Sequence, residues 1–429
     1  MPTPARQLAL HLLATVERAP GTLADQLATA AVEALPPRER AFLHELVLGT
    51  LRLRGWLDFQ IEVLLDRPLD DLQPVLLKEI LRLGAHQILH LRVPQRAAVS
   101  EAVELAAERA PRAKGLVNAV LRHLARQGPR AAPDPMVAPL AWLESAGSVP
   151  RWLAERWLAQ LGSERAVARA TALLRQPPIA FRLNPRVADA WQRVQDAELA
   201  PTPLVVPGAF RATQGHPQAL AAAGVIALQD QGSQLIAHLA APGRLVLDVC
   251  AAPGGKAMLI ADLLGSAALV VAAEPALRRL QIMRQRLVQW GSPRVLCVAA
   301  NGMAPPFRSQ FDVVLVDAPC TGLGTLARHP DIRWRLRPQD IDRHARRQRD
   351  LLATSAGLVR PGGRLVYSTC SLEPEETGRV LEDFSEHTRG FRRAPGPSWA
   401  APFAAEGALR LLPERDGGDG FFAVALQKD

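Results

Sequence analysis

Three short apolar runs in the second half of this 429-residue chain constrain its fold more than any other feature. Leu245–Val249, Phe311–Val316 and Arg364–Ser368 each read as a buried strand. Between them the pattern alternates: Lys256–Leu264 helical, Leu269–Ala273 extended, Ala276–Trp290 helical, Val295–Ala299 extended, Ile341–Val359 helical. That rhythm predicts a doubly wound, largely parallel α/β sheet. In such a sheet the ligand crevice lies outside the carboxyl ends of the strands. There the runs deliver Cys250-Ala-Ala-Pro-Gly-Gly-Lys256, Asp317-Ala-Pro-Cys320 and Tyr367-Ser-Thr-Cys370. A glycine turn and two thiols in one crevice predict covalent chemistry beside a nucleotide-like cofactor, and so an enzyme.

The chain is too long for one ordinary core, so two to three domains are expected. Residues 5–127 read as all-helical, with apolar positions at helical spacing in Leu8–Val16, Phe42–Leu53, Leu57–Leu65, Val75–Leu91 and Val117–Leu124. Ser100, followed by Glu101-Ala-Val-Glu104, reads as an N-cap with an acidic first turn. Pro36, Pro37, Pro68, Pro74, Pro94 and Pro111 fall at expected helix boundaries. Gly128–Pro135 has the composition of a linker, taken as 128–148. A small mixed region follows over 149–225, with a helix at Arg151–Leu161 and short strands at Ile179–Leu183 and Leu204–Val206. The strand–helix alternation fills 226–429.

A hydrophobic fraction of 48% supports globular folding, and no uninterrupted apolar stretch is long enough to cross a bilayer. Leu8–Val16 has the look of a weak signal-peptide core, but His11 interrupts it and Glu17 and Arg18 follow at once. A cytoplasmic protein is expected. Four cysteines, spaced tens of residues apart, form neither a CxxC zinc pattern nor a disulfide framework; reduced thiols and no metal are expected. A net charge of +9 and a pI near 10.3 favour a polyanionic partner. Nearly all of that charge is arginine, the lysines being Lys78, Lys114, Lys256 and Lys428. Yet Lys256 and the sole tyrosine, Tyr367, both sit in the motifs above.

In Leu245–Lys256 a strand, a glycine turn and a helix follow one another. Glycines let the backbone approach a ligand closely, and the helix N-terminus offers N–H groups. Glu274, about twenty residues on, ends the next strand, where an acid can hold ribose hydroxyls. The loop is not GxGxxG and Pro253 argues against a dinucleotide. A nucleoside cofactor is therefore preferred over an ordinary tight turn. Cys370 can be a small buried hydrophobe and Asp317 a turn residue. The chemical reading is different: a thiolate adds to an electron-poor ring, and the carbanion so formed attacks an electrophilic methyl group. A base must then strip the remaining proton before the thiol can leave. One nucleophile, one base and one carboxyl group suit those steps.

Cys250–Lys256, Asp317-Ala-Pro-Cys-Thr-Gly-Leu-Gly324, His329-Pro-Asp-Ile-Arg-Trp334 and Tyr367-Ser-Thr-Cys-Ser371 resemble the motifs of the RNA 5-methylcytosine methyltransferases of the NOP2/Sun class. Gln229-Asp-Gln-Gly-Ser-Gln234 and Asp419-Gly-Phe-Phe422 match that pattern too. Glu45–Arg52, Leu81-Arg-Leu-Gly84 and Gly115–Arg122 resemble the NusB-type RNA-binding domain. Together they are similar to the bacterial Sun/RsmB-type enzymes, which methylate a cytosine in small-subunit ribosomal RNA. The resemblance is weakest between about 135 and 220. It implies an all-α NusB-like domain over 1–127, a small α+β RNA-binding subdomain over 149–225 and a Rossmann-like class I methyltransferase domain over 226–429. It also implies that Cys370 attacks cytosine C6, that Cys320 strips the C5 proton, and that Asp317 hydrogen-bonds the cytosine N3 edge beside S-adenosylmethionine. Lys256 completes the catalytic set. Cys250, Ala251, Ala252, Pro253, Gly254, Gly255 and Lys256 would cradle the cofactor's methionine end, Glu274 its ribose and Asn301 its adenine edge.

Some positions depart from the resembled pattern. Asn301 and Glu274 stand where Asp is more usual, and Ala257 and Met258 replace a threonine after the lysine; none removes a reacting group. Arg328, Arg333, Arg335, Arg337, Arg343, Arg346, Arg347 and Arg349 cluster after the Cys320 loop. They are available for phosphates, or form a solvated face with Asp340, Asp342 and Asp350. Trp334 among them can stack on a base or anchor the loop. Arg38, Arg40, Arg96, Arg112, Lys114 and Arg122 of the helical domain can read RNA or merely pack. The expected partner is RNA, 16S ribosomal RNA first, with no membrane and no requirement for an oligomer. Transfer RNA as substrate, or a non-catalytic RNA-binding assembly factor, stay as alternatives.

Overall fold

Proline opens helices in the N-terminal part of the chain: Pro4–Thr15 and Pro37–Arg52 carry it in the first turn, where its missing N–H has no intrahelical acceptor to lose. The computed structural model describes residues 3–429 apart from Pro20, Pro242, Pro293 and Ser309. It divides into two units, Met1–Gln176 with Leu326–Leu336, and Pro177–Thr325 with Arg337–Asp429.

In the first unit the helices Pro4–Thr15, Pro37–Arg52, Arg54–Glu62, Leu76–His90, Gln95–Arg109 and Lys114–Gln127 surround a core that includes Leu43, Leu46, Leu57, Ile80, Leu81 and Leu121. Leu76–His90 is its central helix, buried on nearly every side. Arg82 on that helix is buried, donating twice to Asp58 (2.6 and 2.8 Å) and once to Glu79 (2.6 Å). The expected N-cap at Ser100 is not found. Ser100 lies inside Gln95–Arg109, because Pro94 starts the helix earlier and its carbonyl accepts the N–H groups of Ala97 and Ala98.

The stretch 128–148 is tied down. Gln60 exchanges two hydrogen bonds with the Arg130 backbone (2.8 and 3.1 Å), and Ser148 Oγ accepts the Gly55 N–H at 2.9 Å. The helix expected over Arg151–Leu161 continues as Arg151–Leu174, interrupted at Gly162 (φ 74°), and lies wholly in the first unit. Leu326–Leu336 also clusters there. Trp334 packs on the helical core, donates to Leu51 O at 2.7 Å and lies under the Arg54 guanidinium at 4.7 Å. Arg333 is 1% exposed and donates to Ser148 O at 2.8 Å, while Arg335 donates to Gly21 O at 2.6 Å. The sequence reading offered Arg333 and Arg335 to RNA phosphates. Carbonyls hold both instead, and Trp334 anchors its loop.

The second unit holds two sheets. The smaller is antiparallel in the order β2-β3-β1-β4, from β1 (Ile179–Leu183), β2 (Pro201–Pro203), β3 (Ala209–Ala212) and β4 (Ile226–Leu228). Leu204–Val206, expected as a strand, instead connects β2 to β3. Pro207 and Gly208, the latter at φ 75°, turn the chain there, and Ala209 N–H bonds back to Val206 O.

The larger sheet contains β5 (Leu245–Asp248), β6 (Leu269–Ala273), β7 (Val295–Val298), β8 (Phe311–Asp317) and β9 (Val359–Thr369), all parallel. Four further strands follow Cys370: β10 (Phe391–Arg393), β11 (Ala404–Ala405), β12 (Ala408–Leu411) and β13 (Phe421–Lys428). They extend the sheet antiparallel beyond β9, in the order β11-β12-β13-β9-β8-β5-β6-β7 with β10 pairing β13. The helices Gly255–Leu264, Leu277–Trp290 and Pro338–Ala356 make the crossovers.

Arg82→Ala would leave Glu79 buried without its cation, at an expected cost of about 3 kcal/mol or more. Thermal unfolding beside the unaltered chain measures this; an unchanged Tm would contradict it.

Candidate active site

Strand order places the site. From β5 the chain proceeds to β6 and β7 on one side, then returns to β8 and β9 on the other. At such a reversal the ends of adjacent strands part and leave a crevice, here between β5 and β8. Asp248 ends β5 and Asp317 ends β8. Parallel register sets Asp317 opposite Ser368, so the Asp317–Cys320 and Thr369–Cys370 segments leave the sheet side by side.

The two sequence-predicted thiols meet there, Cys320 Sγ to Cys370 Sγ, at 3.2 Å. Three backbone bonds fix the approach: Ala318 N–H to Ser368 O (2.9 Å), Gly324 N–H to Cys370 O (2.9 Å) and Gly420 N–H to Gly324 O (2.7 Å). A Cβ on Gly324 would stand 2.3 Å from Gly420 O and 2.8 Å from Cys370 O, so a glycine is required. The Cys320 thiol is held well above its ordinary range by its hydrogen bond with Cys370, by burial, and by the charges of Cys370 and Glu376.

Asp317 accepts from Lys256 Nζ at 2.7 Å and from the Ser368 hydroxyl at 2.8 Å. Burial works against the Lys256 ammonium, but the charge and hydrogen bond of Asp317, with Asp248 behind, raise its pKa overall. Lys256 is thus a fixed cation. Phe421 lies beside it, 5.7 Å from Nζ to ring centroid, which brings Asp419-Gly-Phe-Phe422 to the same crevice. Asp230 caps the helix Gln231–Leu239 by accepting the Gly232 N–H at 2.8 Å, so the Gln229–Gln234 motif serves as a helix start. Tyr367 is buried, its hydroxyl donating to Glu376 O at 2.7 Å; it supports the turn.

The Cys250–Lys256 loop leaves β5 toward the helix Gly255–Leu264. Ala251 N–H bonds to Ala273 O (3.0 Å) and Gly254 N–H to Ala251 O (2.7 Å); Gly254 adopts φ 95°, which favours glycine. Pro253 lies within this turn. Arg279 donates to Ala252 O at 3.0 Å and pairs with Glu274 at 3.2 Å. Glu274 is buried and also accepts the Ala276 N–H at 3.0 Å. Asn301 is exposed, its Oδ1 accepting the Met303 N–H at 3.0 Å. Burial and the nearby carboxylates push the Cys250 thiol up to about 12, so it is inert.

Sequence reasoning passed over Asp248. It is 1% exposed, and neither carboxylate oxygen closes a hydrogen bond of normal geometry. An acid ending an otherwise apolar strand was the available signal. Its surroundings ask for a cationic donor, and the ammonium of an amino acid end group would meet that need. Burial, then the Asp317 charge, push its pKa up to about 7, offset in part by Lys256 and the Cys250 N–H.

Between an unfolded value of about 4 and that folded value, the folded chain holds a proton the unfolded chain has released. The stabilising contribution is complete below about 4 and is lost as pH rises through about 7. Asp248→Asn should flatten the fall of Tm across that window; a fall as steep as in the unaltered chain would contradict the assignment.

Residues 237–427 match the family model for the 16S rRNA methyltransferase RsmB/F, and residues 3–126 match the NusB family model. A relative from Synechocystis, named a probable ribosomal RNA small subunit methyltransferase B, is 34% identical over 455 residues, covering 99% of each chain. The ribosomal RNA small subunit methyltransferase B of Sodalis glossinidius is 32% identical over 418 residues, 92% of this chain and 91% of its own. The crystal structure of PH0851 shares the fold over 100% of this chain and 99% of its own, with a TM-score of 0.78 at 23% identity. With a NusB domain ahead of a Rossmann-like methyltransferase domain, the chain belongs to the RsmB/F family of 16S rRNA methyltransferases.

Proposed function

We propose that this protein forms 5-methylcytosine in 16S ribosomal RNA, with S-adenosylmethionine as methyl donor, through a covalent bond between Cys370 and cytosine C6. The observation that carries this reading is the thiol pair at 3.2 Å beside the Lys256–Asp317 pair. A hydrolase or simple methyltransferase needs one nucleophile or none; two thiols in contact suit attack followed by proton removal. The names of the relatives and the NusB domain support ribosomal RNA as substrate, and such a substrate implies the cytoplasm.

The residues present fit the cofactor. Asp248 offers an unpartnered buried carboxylate to its ammonium, the Cys250–Gly255 loop lies beside that group, and Glu274 and Asn301 follow along the strand ends. When bound, S-adenosylmethionine supplies an electrophilic methyl group on a sulfonium.

Cys370 thiolate forms a bond to C6 and pushes an electron pair onto C5, the carbon that accepts the methyl group. Asp317, oriented by Lys256 and Ser368, hydrogen-bonds the N3 edge and stabilises the adduct. Cys370 is then a thioether, neutral and unable to share a proton as before. The largest cause holding Cys320 protonated has gone, so Cys320 can release its proton to solvent, and the thiolate so formed takes the C5 proton. The C–H electron pair rebuilds the C5–C6 double bond and expels Cys370 as thiolate. Arg346 and Arg347 are exposed on the helix Pro338–Ala356, Arg347 close enough to act on Cys250. They are placed for the phosphates of a flipped-out or single-stranded cytosine, whose extrusion costs roughly a few kcal/mol.

Cys370→Ala should abolish methyl transfer while RNA binding stays near that of the unaltered chain; surviving turnover would remove it from the role of nucleophile. Cys320→Ala should trap a protein–RNA adduct that migrates slowly under denaturing conditions and disappears in the double variant. Absence of that band would mean another group releases the product.

A further inference from the structure

Beneath the two thiols lies a buried polar cluster whose hydrogen bonds take no part in the steps above. Glu376, 0% exposed, sits in the helical turn Pro374–Glu376 just after Cys370. Its Oε1 accepts the Thr321 backbone N–H at 2.9 Å and Gln348 Nε2–H at 3.0 Å, and its Oε2 accepts the Thr321 hydroxyl at 2.5 Å. Gln348, also buried, donates to Pro319 O at 3.0 Å, and its Oε1 accepts the Tyr367 hydroxyl at 3.2 Å. The residues on both sides of Cys320 are therefore gripped: Pro319 through its carbonyl, Thr321 through its N–H and its hydroxyl.

All three donors to Glu376 are neutral. A buried carboxylate without a cation is a poor source of stability, and apolar residues of the same volume would fill the space at lower cost. What the carboxylate does supply is direction. It offers two fixed acceptors, so the Thr321 N–H and hydroxyl can satisfy themselves in one backbone position only. Proton transfer needs that position, since a donor and acceptor must come within hydrogen-bond reach, and a shift of about 1 Å costs about a hundredfold in rate. Attack by Cys370 does not need it, because Cys370 is placed by β9 and by Gly324.

We propose that Glu376, acting with Gln348, is the positioning residue of the release step: it sets Cys320 where the C5 proton will be. This rests on the reading of Cys320 as release base. The unaltered chain and the Cys320→Ala, Glu376→Ala, Glu376→Gln and Thr321→Val variants are each given unmodified 16S RNA and S-adenosylmethionine. Total methyl transfer and covalent protein–RNA adduct are followed over time.

Glu376→Ala is expected to form the adduct at close to the normal rate but to release it about a hundredfold more slowly, so that adduct accumulates. Glu376→Gln keeps an oxygen for the Thr321 N–H and Gln348, and offers its amide to the Thr321 hydroxyl; release should return to within about tenfold of normal. An unfolded chain forms no adduct, so accumulation distinguishes positioning from lost stability. Where Glu376→Ala does not fold, Thr321→Val removes one of the three bonds and should show the same imbalance to a smaller degree.

Normal release in Glu376→Ala, or in Thr321→Val if it alone folds, overturns the proposal. So does equal slowing of adduct formation and release, or failure of Glu376→Gln to rescue. Accumulation in Glu376→Ala but not in Cys320→Ala would overturn the base assignment itself, and with it this proposal.

Discussion

The register between two parallel strands is the constraint on which the site depends. β8 and β9 pair so that Asp317 stands opposite Ser368, and each strand then delivers a cysteine within three residues. A slip of one residue would turn every side chain of a strand to the other face and part the thiols. The register is protected by continuous apolar packing, since Val313, Val314, Leu315 and Val316 of β8 are fully buried against Leu365, Val366 and Tyr367 of β9. β13 adds an antiparallel neighbour on the far side of β9, with Phe422 opposite Thr369. The late strands therefore brace the cysteine turn from behind and carry Phe421 to Lys256.

Charge is sorted within this frame. Lys256 and Asp317 neutralise one another in direct contact, whereas among the described residues Asp248 stays buried with no hydrogen bond of normal geometry. An unsatisfied carboxylate is costly, and such costs persist where a ligand relieves them. The two thiols differ in environment rather than in identity. Contact with Cys370 is the largest cause holding the Cys320 thiol above its ordinary range, so in the reaction proposed above Cys370 would be consumed before Cys320 acts as a base. In that proposal, order follows from contact between the two sulfur atoms.

Much of this was legible in the sequence. Leu269–Ala273 and Ile179–Leu183 form strands with the expected bounds, because short β-rich apolar runs flanked by turn residues admit little else. The meeting of the two cysteines follows from strand-end convergence, a rule of parallel sheets. Other features needed the tertiary structure. The strands β10, β11 and β12 are two to four residues long, and pairing with β13 or with each other, rather than local pattern, makes them strands. Arg333 and Trp334 look like RNA ligands in a basic run, yet carbonyls of the helical unit hold them. Glu376 sits in the polar stretch Ser371–Thr377, where nothing but the fold reveals burial. Asp248 was visible as an acid in an apolar strand, but its lack of partners was not.

The most direct measurement incubates the purified protein with unmodified 16S RNA and methyl-labelled S-adenosylmethionine, then maps the label by mass spectrometry of nuclease fragments. The expected result is 5-methylcytosine at a single position, with the label absent when Cys370 is replaced by alanine. Label on another base, or on another atom of cytosine, would contradict the covalent cytosine-5 chemistry, whatever the family of the protein.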